Sequence, residues 1–247
     1  MKIKKIKPKF RKKQNPKIGL ITLASDFRIE KDFNEIINHK EIDLYCNRIH
    51  SYNPLTNKNL KKMANDITLV TKDILPSQKL DCVAYGCTSG TIAAGYKSIY
   101  DKVNLAKPNT KVTTPITSTM KAIKYLKIKR LSIFTPYTSE INQSVIKYFK
   151  KEKIEISELS YLNIASDLDI GKVDPNYLYS VLSKIKLSKN DALFISCTAL
   201  PVLQMIKDLE KKLGRIVLTS NQTLIWDTLN QVNYRNRISG FGKLFNS

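Results

Sequence analysis

The stretch Asp81-Cys-Val-Ala-Tyr-Gly-Cys87-Thr88 lines up without a gap with Asp191-Ala-Leu-Phe-Ile-Ser-Cys197-Thr198, 110 residues further on. Each is a short apolar run that ends on a Cys-Thr pair. Working outward, Lys17-Ile-Gly-Leu-Ile-Thr22 matches Arg130-Leu-Ser-Ile-Phe-Thr135 at an offset of 113, and Ile42-Asp-Leu44 matches Ile154-Glu-Ile156 at 112. One such match is unremarkable. Three in the same order at nearly the same offset mark an internal duplication.

Around these matches, short apolar runs alternate with longer helical patterns. Strands are expected at Ile18–Ala24, Ile42–Arg48, Asp81–Gly86, Leu131–Thr135, Ile154–Ser160, Asp191–Ser196 and Ile216–Thr219. Leu60, Met63, Ile67, Val70 and Ile74 recur at the spacing of one buried helix face. Strands alternating with helices imply an α/β fold with parallel sheets covered on both faces. The expectation is two pseudo-symmetric Rossmann-like domains: residues 17–115 with 216–247 as the first, 116–215 as the second, and 1–16 as a basic, disordered tail. Ligands of open α/β sheets bind at the carboxyl ends of strands. Two halves facing one another would therefore bring Cys87 and Cys197 to opposite sides of one cleft.

The 247 residues carry 42 Lys and Arg against 21 Asp and Glu, a net charge of +21. Nine of the basic residues lie in the first 17 positions, which hold no acid. The rest is mostly lysine spread along the chain rather than gathered with aromatics and arginine, so no nucleic-acid partner is expected. No apolar run approaches the roughly 18 residues that span a bilayer, and no membrane association is expected. Ile18–Ala24 is short for a signal peptide and reads as a first buried strand, consistent with a cytoplasmic location.

The four cysteines, Cys46, Cys82, Cys87 and Cys197, are too sparse for a disulfide framework and lack metal-ligand spacing. The only histidines, His39 and His50, are remote in sequence from Cys87 and Cys197, so a general base other than histidine is expected. A Cys-Thr pair after a buried strand is expected to open a helix in each half. A cysteine there feels the positive end of the helix dipole, which favours the thiolate and lowers its pKa from about 8.5. Thr88, Ser89 and Gly90, with Thr198 and Ala199, present hydroxyls and N–H groups suited to a bound carboxylate. One thiolate could remove a proton while the opposing thiol delivers one; the thiolate could equally add to a double bond. Cys46 and Cys82 read as small hydrophobic residues.

Four segments in order then resemble the Asp/Glu racemase superfamily. They are Ile18-Gly-Leu-Ile-Thr-Leu-Ala-Ser-Asp26 with Glu30 and Phe33, Tyr85-Gly-Cys-Thr-Ser-Gly90, Thr135-Pro-Tyr137, and Ser196-Cys-Thr-Ala-Leu-Pro201. Ser220-Asn-Gln222 is a weaker fifth. The chain looks most like the branch holding maleate cis-trans isomerases, arylmalonate decarboxylases and ectoine-utilisation A proteins. That resemblance implies two pseudo-symmetric domains and no cofactor or metal. It makes Cys87 and Cys197 the catalytic thiols, has Thr88, Ser89 and Thr198 cradle a carboxylate, and adds Tyr137 as a hydroxyl donor. The decarboxylases keep one active-site cysteine, so two cysteines point to a racemase, epimerase or cis-trans isomerase, with decarboxylation the alternative. Such folds commonly form a homo-oligomer. Maleate isomerases carry Asn near the end of the first strand, where this chain has Asp26; Asp167, in Ser166-Asp-Leu-Asp-Ile-Gly171, looks like a similar replacement. An aspartate repels a second carboxylate but suits an ammonium group or ring nitrogen. The expected substrate is thus a small carboxylate or amino acid carrying nitrogen. The other reading of Asp26 is a helix N-cap.

Overall fold

A computed structural model describes residues 1, 3–10, 14–37, 41–234 and 236–246. Eight strands fall into two four-stranded parallel sheets. The first holds β1 (Lys17–Leu23), β2 (Asp43–Ile49), β3 (Cys82–Gly86) and β4 (Lys111–Thr113), in the order β2-β1-β3-β4. The second holds β5 (Arg130–Thr135), β6 (Glu155–Tyr161), β7 (Asp191–Ile195) and β8 (Val217–Thr219), in the order β6-β5-β7-β8. The two orders are the same permutation, as a duplicated unit requires. Strands β3 and β7 are buried along their whole length, which is why they read as continuous apolar runs. The edge strand β6 is half exposed, and its pairing with β5 shifts register at Leu131/Ser132.

Two local expectations are modified. Leu60, Met63, Ile67, Val70 and Ile74 are all buried, but two helices, Asn57–Met63 and Ile67–Lys72, carry the first four, and Ile74 follows the second. A 3-10 turn at Ala64–Asp66 separates them. Asn65 and Asp66 compete for backbone hydrogen bonds and weaken an α-helix there. Strand β4 has only three residues, too few to show a period.

The expected return to the first domain at residue 216 comes slightly late. Strand β8 pairs with β7, so Val217–Thr219 belong to the second sheet. The crossing follows at the helix Ser220–Gln231, which a complete capping box at Thr219 and Gln222 starts. This helix packs on the helix Pro115–Tyr125 and against β3 and β4. The seam is polar yet satisfied: Thr113 with Thr228, Thr119 with Thr223, and Ser118 and Lys121 with the Asp227 carboxylate. Tail residues 3–10 are exposed and carry no helix or strand. Lys2, Arg11, Lys12, Lys13 and His39 lie outside the described residues. No helix among the described residues is long and apolar enough to cross a membrane.

Candidate active site

Both cysteines stand at the carboxyl ends of equivalent strands, β3 and β7, each only 4% exposed. Their backbones differ. Cys87 is the N-cap of the helix Thr88–Ala94, and its sulfur accepts the Gly90 N–H at 3.2 Å. Cys197 does not open a helix as expected: residues 196–202 form an irregular loop, and the next helical turn begins at Leu203. Its φ is +121°, a conformation that L side chains rarely adopt. The loop holds it by two contacts: Cys197 N–H donates to Ser220 Oγ at 3.0 Å, and Ala199 N–H reaches its sulfur.

The first residues of the helix Ser220–Gln231 tie the two cysteine loops together. Ser220 Oγ also shares a hydrogen bond with Thr88 Oγ1 at 2.9 Å, so one hydroxyl contacts both loops. Thr198 Oγ1 donates to the Gly86 carbonyl at 3.2 Å, crossing from one half to the other. Asn221 Nδ2 donates to the Thr198 carbonyl and to Asp32 Oδ2. Ser89 Oγ lies 3.9 Å from Cys87 Sγ. Tyr137 Oη accepts from Ser196 Oγ at 3.4 Å, and its hydroxyl also reaches Cys197. The structure thus brings together every residue expected at the site: Cys87, Cys197, Asp26, Thr88, Ser89, Tyr137, Asp167, Thr198 and Ala199.

The two aspartates face the thiols from different halves. Asp26 Oδ1 accepts the N–H groups of Arg28 and Ile29 at 2.7 and 3.1 Å, in a turn just ahead of the helix Ile29–Ile37. Its Oδ2 is buried with no hydrogen-bond partner, with the Thr198 hydroxyl, which donates to the Gly86 carbonyl, nearby. Asp167 Oδ2 accepts from Ser25 Oγ at 2.7 Å across the interface. Nearby, Leu55 N–H donates to the Ala165 carbonyl and Arg28 to the Gly171 carbonyl, closing the halves over the cleft.

Carboxylates act on both thiols, and Arg48 acts on Asp26. Burial raises the Asp26 carboxyl above its ordinary range, against the pull of its hydrogen bonds and of Arg48. Burial, then the Asp26 charge, pushes Asp167 up to about 6. Asp32, behind Asp26, is pushed up to about 7, chiefly by burial. Burial first, then the Asp167 charge, pushes Cys87 up to about 12 and Cys197 well above the usual thiol range. The expected lowering by the helix dipole is outweighed in this cleft. At Cys87, desolvation and two carboxylates outweigh one helix terminus, and Cys197 has no helix behind it.

Sequence reasoning passed over Ser25, Asp32, Tyr85 and the roles of Ser220 and Asn221. Ser220-Asn-Gln222 is a visible signal, and Ser25 and Tyr85 lie inside the motifs; Asp32 has none, since its partner lies across the fold. Among the described residues, no three His, Cys, Asp or Glu side chains form a group that could hold a metal ion.

Comparison with known proteins agrees with this architecture. Over 242 residues the chain is 25% identical to a maleate isomerase of Geobacillus stearothermophilus, covering 92% of this chain and 96% of that one. The crystal structure of the maleate isomerase Iso from Pseudomonas putida S16 superposes with a TM-score of 0.85 at 20% identity, covering 94% and 98% of the two chains. A Nocardia farcinica maleate cis-trans isomerase mutant with a covalently bound succinylcysteine intermediate matches with the same score at 17% identity, over 93% and 98%. The family model for arylmalonate decarboxylase matches residues 94–245, a stretch that includes Cys197 and most of the chain. The chain belongs to the arylmalonate decarboxylase family.

Proposed function

We propose that this protein is a cofactor-independent isomerase of a small carboxylate that also carries an N–H group, and that Cys87 and Cys197 act on opposite faces of that substrate. The observation that carries the reading is the pair of buried free thiols at equivalent strand ends, both facing the same two carboxylates. In racemisation or epimerisation, one thiolate takes the proton from the substrate carbon. The electron pair moves onto the carboxylate, and the opposing thiol protonates the other face. N–H groups and hydroxyls of Thr88, Ser89, Thr198 and Ala199, with Tyr137, hold the carboxylate as charge develops on it.

A second reading is favoured by the maleate isomerases among the relatives. The Cys87 thiolate adds to a carbon–carbon double bond, the new single bond rotates, and the C–S bond breaks to release the trans acid. Charge argues against maleate itself as the substrate. Asp26 Oδ2 and Asn221 Oδ1 are buried acceptors without partners, and the Asp167 carboxylate adds its charge beside Asp26. A dianion would bring only further acceptors, whereas an ammonium or ring N–H supplies donors. Free thiols and the absence of any disulfide pairing suit a cytoplasmic location.

The test is a panel of small acids with and without a nitrogen next to the reacting carbon, followed by NMR and chiral chromatography. Turnover of the nitrogen-bearing acids above maleate, reversed in Asp26→Asn, supports the reading. Preference for maleate in the wild-type protein overturns the substrate assignment.

A further inference from the structure

Tyr85 and Cys87 are alternate residues at the end of β3, so their side chains leave the same side of the strand. The Tyr85 ring is completely buried, and its hydroxyl has no hydrogen-bond partner. Phenylalanine would fill the same space without leaving a buried donor unmatched, so packing alone does not account for the hydroxyl.

The surroundings identify its partner. A side chain built at Gly90 would meet Cys87 Sγ at 2.8 Å and Tyr85 Oη at 2.9 Å, so sulfur and phenol border the same small gap. A thiol accepts hydrogen bonds weakly; a thiolate accepts them strongly. In the closed cleft the Cys87 sulfur has the Gly90 N–H and, more distantly, the Ser89 hydroxyl, set against burial and two carboxylates. A third donor is what a thiolate there lacks. The duplication supplies a comparison. Cys197 is reached by the Tyr137 hydroxyl, which comes from the loop after β5. The residue that matches Tyr85 in the second half is Ile195. Each thiol therefore has a buried phenol, drawn from a different place in the repeat, so common descent of the halves does not explain it.

We infer that Tyr85 is a positioning residue for Cys87: its hydroxyl donates to the Cys87 sulfur once that sulfur is a thiolate, in the gap left beside Gly90. The inference rests on Cys87 being a reactive thiol and not on the identity of the substrate.

The experiment is the pH dependence of iodoacetamide alkylation of the full chain, read cysteine by cysteine by peptide mass spectrometry, in wild type and Tyr85→Phe. Alkylation of Cys87 is expected to slow roughly tenfold, as loss of one hydrogen bond to a charged sulfur implies. Cys197 serves as the internal control and should keep its rate, and Tm should hold or rise. An unchanged Cys87 rate, an equal slowing at Cys197, or a fall in Tm overturns the inference. A wild-type Cys87 that the reagent never modifies, even at high pH, removes the reading beneath it and the inference with it.

Discussion

Replacing Asp167 by asparagine keeps the shape and the acceptor for Ser25 Oγ but removes one negative charge. That charge is the largest electrostatic influence on both Cys87 and Cys197 after burial itself. Two unit charges ~5 Å apart at an effective dielectric of ~20 interact by about 3 kcal/mol, which sets the upper bound. Half of that, about 1.5 kcal/mol, already corresponds to roughly tenfold more thiolate at a given pH. Because Asp167 titrates at about 6, it is ionised above that pH and neutral below it. The gain must therefore be pH-dependent. Alkylation of both cysteines in Asp167→Asn should be about tenfold faster than in wild type near pH 8, and the ratio should fall towards one below about pH 5. Iodoacetamide kinetics with mass-spectrometric readout measure both sites together. A ratio that stays constant across pH, or an acceleration at only one cysteine, would refute the reach of the Asp167 charge to both thiols.

Three further outcomes follow from the same geometry. Asp32 has its folded pKa raised to about 7 from 3.8, so its contribution to stability is full below about pH 4 and lost as pH rises through 7. Asp32→Asn should accordingly raise Tm at pH 8, with the advantage vanishing near pH 4 in a thermal melt; a lower Tm at pH 8 would contradict this. Cys197 holds φ at +121°, a strain of about 1–3 kcal/mol for a non-glycine residue, so Cys197→Gly should be inactive yet at least as stable to urea as wild type. Ser220→Ala removes the hydroxyl that contacts both cysteine loops, leaving Thr88 Oγ1 and the Cys197 N–H without that partner. It should lower kcat/KM about tenfold or more with a fold intact by circular dichroism, and an unchanged kcat/KM would show that the bridge is not needed.

Much of the fold was legible because its signals are local. Seven strands announced themselves as apolar runs, and the Cys87 and Cys197 matches exposed the duplication that the two identical strand orders bear out. Strand β4 escaped because Lys111-Val-Thr113 is too short to show a period. The expected helix after Cys197 failed for a related reason. Thr198-Ala-Leu-Pro201 has the same first residue as Thr88-Ser-Gly90, but Pro201 cannot donate to a helix ladder, and the chain runs on as a loop. The site residues that were visible lie within the motifs. Asp32 lies outside them and acts through Asn221, 189 residues away, while Ser25 lies in the first motif but bonds Asp167, 142 residues away. Thiol acidity was the clearest misjudgement. A strand-to-helix turn advertises its dipole, while the burial and the two facing carboxylates that outweigh it exist only in the folded cleft.

The most direct test of the two-thiol account follows the reaction by proton NMR in heavy water, in wild type, Cys87→Ala and Cys197→Ala. With the substrate class found by the panel, the account predicts isomer formation in wild type and its loss in each single variant, because each face of the substrate has only one sulfur. Deuterium at the reacting carbon alongside the isomer would assign proton transfer, and isomer without it, addition and rotation. Full isomerisation by either single-cysteine variant would contradict the account.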